Sequence, residues 1–260
     1  MLIAIIYQQN ALKIIAIAAL LYLALTPYLS ATADASVEFS KIERYFFEEL
    51  NHRNRKQDTP IHVSILTIDD KSAIDPIIEM ISEINKITGK TIFLISEIRY
   101  GPNDTPSKNI NNDTDMIIIK GTKFMSVNIS WFVFNIDDFI KRYGNQSVNS
   151  IYDELASQSY ICRQYEWRER EQEGDKFLSV IDDGLGYQSF LNCTATFLLR
   201  ASGIFPDSKK ETVVNENHPG NFTLSILLNR DLITALKVLY DNRIKRGQDA
   251  HDMSEALRAQ

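Results

Sequence analysis

The chain has 260 residues, 44% hydrophobic and 24% charged, the balance of a globular protein able to bury its own core. Its formal net charge is −6, and −7 without the first 33 residues, whose only charge is Lys13 (−6 − 1 = −7). A mildly acidic chain has no electrostatic reason to bind nucleic acid, whose phosphates require a basic surface.

The N-terminus predicts export. Ile14 to Leu25 is an unbroken apolar run behind Lys13. Pro27 interrupts it, and Ala31-Thr32-Ala33 supplies the small-x-small pattern of a signal-peptidase site. Cleavage after Ala33 makes 1–33 a signal peptide and 34–260 a single globular domain, periplasmic or secreted. The stretch from Lys13 to Leu29 is slightly shorter than the roughly 18–20 residues of a membrane span. The alternative is an uncleaved anchor, through which alone the chain would touch a membrane. Outside the cytoplasm the only two cysteines, Cys162 and Cys193, are read as a disulfide, with two buried free thiols as the alternative. Neither has a second ligand at metal-binding spacing.

Phe39, Ile42, Phe46 and Leu50 recur at helical steps, so residues 36–56 are expected to form an amphipathic helix. Ile61 to Ile68 is expected to form a strand. Asp75 is the expected N-cap of a helix with Pro76 at its first position, an apolar stripe from Ile77 to Ile87, and Gly89 as its stop. Thr91 to Ile98 is the next expected strand, and 99–114, rich in Gly, Pro, Asn and Asp, a long loop. Further strands are expected at Met116 to Lys120, Val127 to Phe134 and Tyr160 to Trp167, with short helices at about 136–143 and 148–157 between them. The charge run Arg168 to Glu173 is a solvated turn or hairpin tip. Gly184 to Gly186 opens the most pronounced helix, whose buried face is Phe190, Cys193, Phe197, Ala201 and Ile204. After a polar loop at about 206–221, two helices close the chain. One buries Leu232, Ala235, Leu236 and Leu239, and the other spans about 249–258.

Several chemistries are excluded by their missing residues. Thr88-Gly89-Lys90-Thr91 lacks the first glycine of a phosphate loop, has Ile84 in its place, and joins helix to strand, the reverse of what a nucleotide site requires. Gly184-Leu185-Gly186 lacks the third glycine of a dinucleotide fingerprint, and no Gly-x-Ser-x-Gly elbow is present. His52, His62, His218 and His251 have no ligand spacing among them. Neither a catalytic residue, a metal ligand nor a cofactor is assigned. Asp182-Asp183 before the long helix fits a turn that complements the helix dipole, or alternatively acid–base chemistry.

Cys193-(x)7-Ala201-x-Gly203-Ile204-x-x-Asp207-Ser208 resembles the central helix of an exported bacterial family known as domain of unknown function 2927. The run Leu239-Tyr240-Asp241-Asn242-Arg243-Ile244-Lys245-Arg246-Gly247 looks like that family's ending, and Ile61 to Gly89 fits its strand–helix opening. The resemblance covers most of residues 40–258. It implies a zinc-peptidase (zincin)-like outline, a mixed sheet with a long helix beneath it. Family members carry two acids and a glutamine on that helix, and this chain has Thr196, Phe197 and Arg200 there. Arg cannot ligate a metal, and Phe cannot act as a base.

The expectation is therefore a single α+β domain with a mixed sheet and a long central helix. It acts as a non-catalytic module binding an envelope partner or small ligand. Asp182, Asp183, Arg200 and Glu166 are its candidate pocket. One alternative is a carboxylate-dependent hydrolase of envelope polymers using Asp182, Asp183 and Glu166. Another is an interaction protein tethered by its uncleaved N-terminus.

Overall fold

A computed structural model describes residues 39–47, 53–67, 71–100, 114–121, 162–167, 175–182, 184–206, 213 and 228–259. The proposed signal segment, Asp183, the strand at 127–134, the helices between 136 and 157 and the charge run at 168–173 lie outside these residues. So does most of each of the two loops.

The protein is α+β. Strands β1 (Ile61–Thr67), β2 (Phe93–Tyr100), β3 (Met116–Lys120), β4 (Cys162–Trp167) and β5 (Lys176–Ile181) form one mixed sheet in the order β2-β1-β3-β5-β4. β2, β1, β3 and β5 run parallel, and β4 lies antiparallel to β5 at the far edge. Both faces of the central strands are buried, which is why β3 is Met-Ile-Ile-Ile-Lys without alternation. Ile61, Val63, Ile65, Met116, Ile118 and Phe177 on one face join the core with helices α1 (Ile74–Thr88), α2 (Tyr187–Ala201) and α3 (Arg230–Leu239). Helix α4 (Ala250–Arg258) adds Met253 to the same core.

The elements differ from the sequence expectation in several places. Helical structure in the first segment covers 39–42 and a 3-10 turn at Glu43–Tyr45, then stops. The expected helix cannot reach residue 56, because the Asn54 backbone pairs instead with Gln248 and Gly247. α1 begins at Ile74 behind a 3-10 turn at Lys71–Ala73, so Ala73 is its N-cap and Asp75 lies inside its first turn. β2 starts two residues late. The Asn85 side-chain oxygen holds the N–H groups of Ile92 (2.7 Å) and Phe93 (3.0 Å) and fixes where the strand enters the sheet. β5 was not among the expected elements, although Phe177-Leu178-Ser179-Val180-Ile181 is an apolar run of strand length.

Elsewhere the local signals hold. Gly89 ends α1 in the left-handed conformation (φ 64°), which glycine adopts without a Cβ penalty. Asn229 and Asp249 cap α3 and α4 through their side-chain oxygens. Among the described residues no helix is long and apolar enough to cross a membrane.

Candidate functional site

α2 is the long helix on which Cys193, Thr196, Phe197 and Arg200 lie, as the sequence predicts. Its face toward β4 is occupied by structural bonds. Cys193 forms the disulfide with Cys162 at the start of β4, with Cα atoms 6.0 Å apart. On the chain-entropy model, closing this loop of about 31 residues stabilises the fold by roughly 3–4 kcal/mol. One turn on, the Gln164 side-chain amide donates to the Phe197 carbonyl (3.2 Å) and to Ser179 Oγ (3.1 Å), tying β4 to both α2 and β5. The Thr196 hydroxyl donates to the Asn192 carbonyl (2.7 Å), Phe197 is buried in the core, and Arg200 is exposed.

The candidate pocket residues divide between two ends of the sheet. Asp182 follows β5 directly and accepts the Gly184 N–H (2.7 Å), closing the turn that leads into α2. Glu166 sits opposite Phe177 at the other end of β5, roughly 16 Å away along the strand. Its carboxylate is bound to Arg55 Nη1 at 2.5 Å. Arg200 lies on the last turn of α2, roughly 20 Å along the helix from Tyr187. Two carboxylates working on one glycosidic bond stand about 5–10 Å apart, so Glu166 and Asp182 do not form such a pair. Asp183 lies outside the described residues.

At the carboxyl end of the parallel strands, where open α/β sheets take their ligands, Thr67, Lys120 and Ile181 share the last rung. Lys120 Nζ lies 5.3 Å from the ring centroid of Phe190 in α2. Among the described residues, Thr67 Oγ1 and, in the first turn of α2, Gln188 Nε2 are buried without a hydrogen-bond partner. Tyr187 beside them is half exposed; burial of its hydroxyl, reinforced by Glu79, raises its pKa.

Sequence reasoning missed a buried polar cluster altogether. Asn54, Arg55, Lys56 and Gln57 are all buried, threaded between the end of α2 and the turn after α3. The Asn54 amide donates to the carbonyls of Lys245 (3.0 Å) and Gln248 (3.1 Å). Lys56 Nζ donates to the Asp241 (2.9 Å) and Ile244 carbonyls just past the C-terminus of α3, where a cation is favoured. Burial pushes the Lys56 ammonium below its usual range; Lys90 adds to this, and Asp58 and Asp241 oppose it. Gln57 Nε2 donates to the Ala201 carbonyl (3.1 Å), and the Tyr240 hydroxyl donates to Ser202 O (2.9 Å). Burial raises the Tyr240 phenol well above its ordinary pKa, so it stays a donor. Gly203, with φ 89°, lies so close that a Cβ there would stand 2.6 Å from the Arg55 carbonyl oxygen.

Ala201–Ile204, part of the Cys193–Ser208 sequence run, and Leu239–Gly247 therefore meet at this cluster. Their residues hold backbone together; of the ion pairs there, Asp241 with Arg243 (2.9 Å) is local, and Arg246 with Asp175 (3.8 Å) reaches the start of β5. Among the described residues, no three His, Cys, Asp or Glu side chains gather into a metal-binding group. No protein-family model matches the chain, and no curated protein or solved structure is detectably similar to it.

Proposed function

We propose that this chain is an exported, non-catalytic binding or interaction module with a degenerate metallopeptidase-like fold. The observation that carries the reading is the β4-facing side of α2. Where the family resemblance puts two acids and a glutamine, α2 holds a threonine bonded to its own helix, a core phenylalanine and an exposed arginine, Arg200. A mixed sheet with a long helix against it agrees with the zincin-like outline. The disulfide agrees with an oxidising compartment. The envelope partner or small ligand is recognised by surface rather than by chemistry on that helix.

Metal content and N-terminal mass of the protein isolated from its own cells test both halves. The expected result is a mature chain beginning at Asp34 with no stoichiometric zinc and no metal-dependent peptide cleavage. Bound zinc together with cleavage would overturn the non-catalytic half. An intact Met1 would replace the exported form with a tethered one.

A further inference from the structure

Thr67 ends β1 and is 2% exposed, yet its hydroxyl oxygen has no hydrogen-bond partner among the described residues. Buried hydroxyls almost always bond, so one left open points to a group that the chain itself does not supply. Strand register says where it is aimed. Thr67 lies opposite Lys120 of β3, and Lys120 lies opposite Ile181 of β5. Such partners share a face of the sheet and stand about 4.8 Å apart from strand to strand. The face is the helix-covered one, since Ile65, Ile118 and Ile181 on it join the core with α1 and α2. Lys120 is also buried, at 5% exposure, and its ammonium lies 5.3 Å from the Phe190 ring in the first turn of α2. The Thr67 side chain is therefore aimed between the carboxyl end of the sheet and the amino end of α2.

Donors of three kinds meet at this end. The N-cap of α2 is Gly186, which has no side chain to fill the turn, and no acid stands in the first turn to complement the dipole. The leading N–H groups of this 15-residue helix, the Lys120 ammonium and the Thr67 hydroxyl all favour a negative oxygen. We propose that Thr67, Lys120 and the first turn of α2 bind the oxyanion group of a small ligand, a phosphate or a carboxylate. Nearby carboxylates limit what enters. Asp182 accepts the Gly184 N–H in the turn before α2, and Glu79 lies within electrostatic reach of Tyr187. In that surround an anion is held by direct bonds rather than by a general positive field, which suits one compact group over a polyanion. Gln188 Nε2, also unpartnered, stands about 200° around α2 from Phe190 and is not part of this set. The site lies ahead of Thr196, Phe197 and Arg200 and needs no chemistry from them. It rests on the binding reading above and names its ligand class.

Titration calorimetry of the full chain with inorganic phosphate and, separately, with acetate tests it, at an ionic strength held constant with chloride. A single saturable site is expected for at least one of the two anions, which should also raise the melting temperature as its concentration rises. Thr67→Val should weaken that binding about tenfold, the worth of one hydrogen bond to a charged group. The same substitution should leave the melting temperature without anion unchanged or higher, because the hydroxyl it removes has no partner in the ligand-free chain. Lys120→Met should abolish binding; if it unfolds the chain, Thr67→Val alone decides. No saturable site for either anion would overturn the proposal, and so would Thr67→Val binding like the parent chain. Metal-dependent peptide cleavage would overturn the non-catalytic reading without changing the anion affinity. Absence of the anion site would leave that reading standing on a macromolecular partner.

Discussion

Asn54, Arg55, Lys56 and Gln57 are polar and buried, at 3–8% exposure, whereas Leu94, Ile95 and Ile98 are apolar and 37–44% exposed. Both regions run against the usual sorting of side chains, and they differ in how their bonds are completed. In the first, side chains reach backbone groups left over at helix ends, so each buried polar atom that bonds there replaces water. In the second, no described residue pairs with the outer edge of β2 beyond Phe93, and its apolar side chains are exposed. A polar cluster of the first kind supports the fold, whereas exposed apolar side chains of the second kind contribute little to it. Substitutions read as stability distinguish the two.

The largest effect is expected where the buried cluster is closest. Gly203→Ala would set a Cβ against the Arg55 carbonyl at 2.6 Å in a backbone conformation that alanine avoids. A loss of about 3–5 kcal/mol follows, read as a lower denaturant midpoint at unchanged slope. Replacing Cys162 and Cys193 together by alanine should cost about 3–4 kcal/mol in the same measurement, and reductant should reproduce the loss in the parent chain. Tyr240→Phe removes the donor to Ser202 O and the acceptor for the Gln57 N–H, and is expected to cost about 1–2 kcal/mol.

How much of this was legible in the sequence depends on whether a bond is local. The stripe Leu232-Ala235-Leu236-Leu239, the Gly89 stop and the buried face of α2 are written in periodicity and could be read directly. The Cys162–Cys193 bridge follows from the count of two cysteines together with the expectation of export. The Asn54–Gln57 run reads as a solvated helix end, because its partners lie roughly 140 to 190 residues away in the chain and nothing nearby marks them. Grouping Asp182, Asp183, Arg200 and Glu166 around one cleft rests on a zincin-like arrangement, and sequence alone sets no distance between them. Strand register sets Glu166 and Asp182 at opposite ends of β5. The exposed isoleucines of β2 looked like ordinary core strand, since edge position depends on strand order, which periodicity does not encode.

A smaller effect comes from the rim of the buried cluster. The Arg243 guanidinium, bonded to the Asp241 carboxylate, lowers that acid to about 2 from 3.8, against an opposing contribution from burial. Because the folded value lies below the unfolded one, the stabilisation is present above about pH 4 and is lost as pH falls through about 2. Both side chains are partly exposed, so solvent screening keeps the contribution below about 1 kcal/mol. The stability difference between the parent chain and Asp241→Asn should shrink steadily from pH 5 to pH 2. A constant difference would place the effect in packing.

The smallest stability effect is expected on β2, and it sharpens the contrast most. Ile95→Thr keeps the β-branched shape that suits a strand and removes apolar area that is already 37% exposed. Its denaturant midpoint should stay within about 0.5 kcal/mol of the parent chain, as surface changes usually do. A loss of about 2 kcal/mol or more would instead make Ile95 part of the core that holds β2 to β1 and α1. The edge would then belong with the Asn54–Gln57 cluster, as support for the fold.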